Sequence, residues 1–254
     1  MTRVPTRTPF PSSRLIRILS DLALLEAAEP GAAFAEKLGL WVDYSDAIAL
    51  STALKPGAAS QADARRVDSA AAGAVVSDQL ARLRTRFVES ITQSDSAQAG
   101  RARIERPVAD FELPVKVSIA FDPYRRYYGA HQREMDSNIG ALRAGVREVL
   151  TRASVSLRHL AALDAALEKV LCERESKLLS TVPLLLRKRF EHLLKDYQQT
   201  LNDKRQADDP DTWMKPGGWL ARFFHELQTV LIAELDVRLQ PTVGLIEALQ
   251  NEKT

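Results

Sequence analysis

The sequence predicts an all-α protein, an elongated or multi-helix bundle of about seven helices. Three observations lead there. From Pro123 to Leu249, apolar residues recur three or four positions apart with charges between them, which is the spacing of a helix that buries one face. Proline and glycine pairs divide the chain at intervals suited to helices. Only one short stretch, Val115, Val117, Ile119 and Phe121, alternates as a strand would, and a lone strand has no partner to pair with.

The elements follow in order. Residues 1–11, rich in Arg, Thr and Pro, read as a mobile N-terminus. Ser12 or Ser13 caps a first helix with the face Leu15, Ile16, Leu19, Leu22 and Leu25, which Pro30-Gly31 ends. A second helix runs through Phe34, Leu38, Trp41 and Ile48 to Leu54, where Lys55-Pro56-Gly57 breaks it. A third becomes periodic at Val76, Leu80, Leu83, Phe87 and Ile91. These make an N-terminal helical region over 12–93.

Residues 94–121, punctuated by Gly100, Pro107 and Pro114, lose the helical period and read as an extended linker. Asp122 as cap and Pro123 as first helical position then open a C-terminal helical bundle over 122–254. Its first stripe is Tyr128, His131, Met135, Ile139, Leu142, Val146 and Val149. Its second is Leu157, Leu160, Leu163, Leu167, Val170 and Leu171. Thr181-Val182-Pro183 calls for a kink or a fresh start, after which Leu186, Phe190, Leu193, Leu194 and Tyr197 continue the apolar face. A polar loop over 203–218 precedes a helix carrying Leu220 to Leu235, and Pro241 is expected to separate a short final helix.

Composition bounds the function. The 254 residues, 45% of them hydrophobic, suffice for one large or two modest cores. Lys plus Arg number 35 against 33 acidic residues, so a net charge of +2 exerts no general attraction on nucleic acid or an anionic membrane. The single cysteine, Cys172, excludes an internal disulfide and reads as a quiet, partly buried thiol. Leu15 to Leu25 superficially resembles a signal peptide, but Arg17 and Asp21 interrupt it. No run approaches the roughly 20 apolar residues of a membrane span, so a soluble cytoplasmic protein is expected.

Catalytic signatures are missing from the sequence. The residues three before His131, His159, His192 and His225 are Tyr128, Ser156, Arg189 and Arg222, so no di-iron Glu-x-x-His pair exists. Zinc spacings, phosphate-binding glycine loops and the nucleophile elbow are absent as well. The expectation is a non-enzyme with no cofactor and no metal; the three aspartates at 208, 209 and 211 lack the spacing of a calcium loop.

Two clusters invite a binding role. Tyr124, Arg125, Arg126, Tyr127, Tyr128 and His131 combine aromatic faces with guanidinium groups, a set able to hold phosphates and stack on bases; packed tyrosines with solvated arginines are the plainer alternative. Trp213, Met214 and Trp219 lie in or beside a polar turn, where an exposed aromatic anchors a partner. Trp219 suits the first turn of the next helix, and Trp213 either makes a contact or folds back on the core. The runs Arg82, Arg84, Arg86 and Arg187, Lys188, Arg189 read as solvated.

The stretches SSRLIRILSDLALLEAAEPGAAFAEKLGLWVDYSDAIALSTAL, FDPYRRYYGAHQREMDSNIGALRAGVREVLTR, ERESKLLSTVPLLLRKRFEHL and LQTVLIAELDVRLQPTVGLIEAL resemble a family of Gram-negative bacterial proteins, domain of unknown function 3348, over nearly the whole chain. The resemblance brings no chemistry with it. It implies a context, genes beside those for a channel-like membrane protein of the MotA/TolQ/ExbB type and an OmpA-type peptidoglycan-binding protein. The expected function is therefore a cytoplasmic helical adaptor docking on such a complex, with surplus apolar surface and an acidic face on the final helices. The alternative is a nucleic-acid-associated protein using Tyr124 to His131. A homo-oligomer is open, because helical stripes bury equally well between chains.

Overall fold

The computed structural model describes residues 13–22, 24, 44–54, 69–92, 104–108, 116–205 and 207–252, and these are all-α. In chain order the helices are α1 (Arg14–Asp21), α2 (Tyr44–Leu54), α3 (Ser69–Thr92), the single turn α4 (Val117–Ala120), α5 (Asp122–Ala153), α6 (Val155–Leu179), α7 (Val182–Lys204) and α8 (Trp219–Asn251), with a 3-10 turn at Pro210–Thr212 before the last. The predicted mobile N-terminus, the break at Pro30-Gly31, the helix around Phe34 to Trp41, the break at Lys55-Pro56-Gly57 and linker residues 94–103 and 109–115 lie outside the described residues.

Local chemistry sets the ends. Ser13 caps α1, its hydroxyl accepting the Ile16 N–H at 3.3 Å, and Ser154 caps α6 by accepting the Leu157 N–H at 3.1 Å. The Thr181-Val182-Pro183 segment is a fresh start: α6 ends at Leu179, and Pro183 sits in the first turn of α7, where a missing N–H costs nothing.

Helix α8 is the spine, 33 residues long, with α1, α3, α5, α6 and α7 packed on it. Leu220, Phe223, Leu227, Val230, Leu231 and Leu235 are all fully buried, so the helix is apolar on more than one face because it is covered on more than one face. The surplus apolar surface expected here is thus used within the chain. The expected acidic face is used as well: Glu226 pairs with Arg189 and Arg222, and Asp236 with Arg14 and Arg84. Arg84 and Arg189 were expected to face water, yet each crosses to α8.

Three further expectations change. Pro241 does not separate a short helix, because α8 continues through it to Asn251. Leu239 and Thr242 are buried on either side of the exposed proline, and burying them outweighs one lost backbone hydrogen bond. The alternating segment is not extended over Val117–Ala120, which closes a helical turn directly before α5. Phe121 rather than Asp122 occupies the cap position, and Asp122 instead bonds Arg125 and Arg126.

The core forms two clusters. The larger centres on Phe121, Tyr124, Phe190, Phe223 and Phe224, whose rings meet edge-on or tilted at 5.1–6.3 Å, the preferred aromatic geometry. The smaller joins Val76, Val146, Leu150, Leu157, Ala161, Leu245, Ile246 and Leu249. Among the described residues no helix is long and apolar enough to cross a membrane.

Candidate functional site

The aromatic and basic cluster at the start of α5 is divided by helical periodicity. Tyr124, Tyr127, Tyr128 and His131 point inward and are buried, while Arg125 and Arg126 stay outside on Asp122. The Arg125 hydrogen bond holds the Asp122 carboxyl below the usual carboxylate range, against a smaller effect of desolvation. No ring face remains on which a base could stack. Burial pushes the Tyr127 hydroxyl up to about 12 and His131 down to about 4. Neither His131 ring nitrogen has a hydrogen-bond partner.

The tryptophan loop is a cap. Trp213 is 1% exposed and meets Trp219 edge-on at 5.8 Å. Its Nε1–H donates to Asp208 Oδ1 at 2.9 Å and to the Tyr197 hydroxyl at 3.2 Å. The Trp213 carbonyl accepts the Ala221 N–H at 3.0 Å, satisfying one of the orphan donors at the start of α8. Gly218 makes this possible, since a Cβ there would lie 2.2 Å from the Trp213 carbonyl oxygen. Trp213 and Trp219 therefore offer no exposed face to a partner, and Met214 is half-buried against the same core.

The seam between the two core clusters holds a different arrangement. There α5, α6 and α8 enclose a groove of about 460 Å³. Its apolar lining is Met135 and Ile139 from α5, both buried, and Leu167 and Leu171 from α6, both half-buried. Its charged lining is Asp136 and Arg143 from α5, Asp164, Glu168 and Glu175 from α6, and Arg238 from α8; Asp136 and Glu175 are exposed, whereas Arg143, Asp164 and Arg238 are largely buried. Gly140 leaves space in the α5 wall, where an added Cβ would meet nothing within 4 Å. Cys172 and Pro241 complete the lining with Ser176; Cys172 is exposed, not partly buried as expected.

Ion pairs build the walls. Arg143 grips Asp164 with two hydrogen bonds of 2.9 and 2.6 Å, and Arg147 reaches Asp164 at 3.1 Å and Glu168 at 2.6 Å. Behind the other wall, Glu234 is fully buried and accepts from the Tyr128 hydroxyl at 2.6 Å, from Gln132 Nε2 at 3.0 Å and from Arg238 Nε at 2.8 Å. Arg238 also bonds Asp136. Desolvation, with the Glu234 charge added, raises the Tyr128 hydroxyl well above its ordinary value, which keeps it a donor. Such fully satisfied networks are rigid, so the groove is held open by its own walls.

Sequence reasoning missed these residues, although a signal was present. Asp164 interrupts the second apolar stripe between Leu160 and Leu167, and Glu234 stands inside the run Val230-Leu231-Ile232-Ala233 and Leu235. A carboxylate on an apolar face must find a buried cation. Which cation it finds depends on the fold.

A family model described as protein of unknown function (DUF3348) matches residues 1–251, so the chain belongs to that family. No curated protein and no solved structure matches it.

Proposed function

We propose that this member of the DUF3348 family is a non-enzymatic cytoplasmic helical adaptor that docks on the cytoplasmic part of a MotA/TolQ/ExbB-type membrane complex, and that the groove among α5, α6 and α8 is where it engages its protein partner. The groove carries this reading. Its half-buried leucines, Leu167 and Leu171, lie beside charged groups of which Asp136 and Glu175 are exposed, and apolar contacts bordered by solvent-accessible polar groups are the anatomy of a protein interface. Most of its carboxylates already accept hydrogen bonds from arginines. A carboxylate so occupied suits positioning and recognition better than taking a substrate's proton.

Copurification tests the reading. Full-length tagged protein recovered from its producing cells after mild crosslinking is expected to enrich a channel-type membrane protein over a tagged control. Recovery of nuclease-sensitive partners alone, or of the protein with only itself, contradicts the adaptor reading.

A further inference from the structure

We infer that the occupant of the groove is a basic amphipathic helix of a protein partner, seated with its apolar residues on Leu167 and Leu171 and its Lys or Arg residues against Glu175. The inference deepens the adaptor reading and rests on it.

Charge comes first. The lining holds four carboxylates, Asp136, Asp164, Glu168 and Glu175, against two guanidinium groups, Arg143 and Arg238. Immediately behind them Arg147 and Glu234 cancel each other, so the groove keeps an acidic surplus. Glu175 concentrates it. That carboxylate is exposed and, among the described residues, makes no ion pair within 4.0 Å, yet its charge acts on both Arg143 and Arg238 across the groove. An incoming cation would meet a carboxylate that need not first release a partner.

Shape points to a segment and not to a compact molecule. The α6 wall runs from Asp164 to Ser176, about 18 Å at 1.5 Å per residue, or roughly three helical turns. Helix-in-groove recognition uses this length, with apolar anchors one turn apart.

Cys172 provides the readout, being the only cysteine in the chain and an exposed member of the groove wall. The probe is a synthetic amphipathic peptide of leucine and lysine, about four turns long, beside a leucine and glutamate peptide of equal length. The rate of alkylation of Cys172 in the full chain is measured with each. The leucine–lysine peptide is expected to slow alkylation at least ~5-fold and the leucine–glutamate peptide to leave it unchanged, with Glu175→Lys raising the half-protecting concentration ~10-fold. Gly140→Leu fills the groove and should abolish protection relative to its own peptide-free rate. Gly145→Leu, at an exposed α5 position outside the lining, should retain it.

Equal protection by both peptides, protection by neither, or full protection in a folded Gly140→Leu protein overturns the inference. If copurification recovers the membrane protein while alkylation is unaffected, the adaptor reading stands and the groove assignment falls. Protection by the leucine–lysine peptide without that copurification leaves the groove assignment standing and removes the membrane complex.

Discussion

His131 shows how a single side chain ties stability to pH. Its folded-state value of about 4 lies below the ordinary 6.5, so the unfolded chain takes up a proton first as pH falls. Stability is complete above about pH 6.5 and declines toward pH 4. Between pH 7.5 and 5 the loss from this one group is about 2 kcal/mol, and His131→Phe should remove most of it, measured as urea unfolding at the two pH values. An unchanged pH dependence in that variant would contradict the burial argument. Glu234 makes the complementary case. Glu234→Ala leaves Arg238, whose side chain is 9% exposed, with Asp136 alone and takes the acceptor from Tyr128 and Gln132; it should cost about 3–5 kcal/mol, whereas Glu234→Leu with Arg238→Leu should cost clearly less. Equal losses would show that the ion pair is not the feature that matters. Gly218→Ala, which forces a Cβ into the Trp213 carbonyl, should destabilise by more than about 2 kcal/mol in the same measurement.

At the scale of elements, α8 carries the lesson and a prediction. Pro241→Ala restores a backbone hydrogen bond in a helix that is already continuous, and should raise unfolding free energy by about 1–2 kcal/mol. A loss would mean that the proline fits a local geometry alanine cannot. Helix types and faces were legible in the sequence: the stripes through Met135 and Ile139, through Phe87 and Ile91, and through Phe190 and Leu194 are the ones buried. The break before Pro183 was legible because a proline inside a helix forfeits a hydrogen bond and clashes with the preceding turn. The continuity through Pro241 was not, because local propensity argues for a break and only the surrounding helices supply the burial that overrides it. For the same reason the sequence left Trp213 open between a partner contact and the core. Asp208 of the loop and Tyr197 of α7 satisfy the Trp213 indole N–H from within.

For the whole molecule, the decisive feature is what the fold leaves over once its charges are paired. Sequence patterning identified the α6 stripe but could not say that Leu167 and Leu171 stay half-buried at a seam between two clusters. That depends on the gap between α5 and α6, opened at Gly140 and bridged by Arg143 and Asp164. The most direct test of the central claim, that this seam receives a partner, is site-specific photocrosslinking in producing cells. A photoreactive residue replaces Cys172 in one variant and Gly145 in another. The groove account predicts a light-dependent adduct with a channel-type membrane protein from position 172 and none from 145. The same adduct from both positions, or none from either, contradicts it.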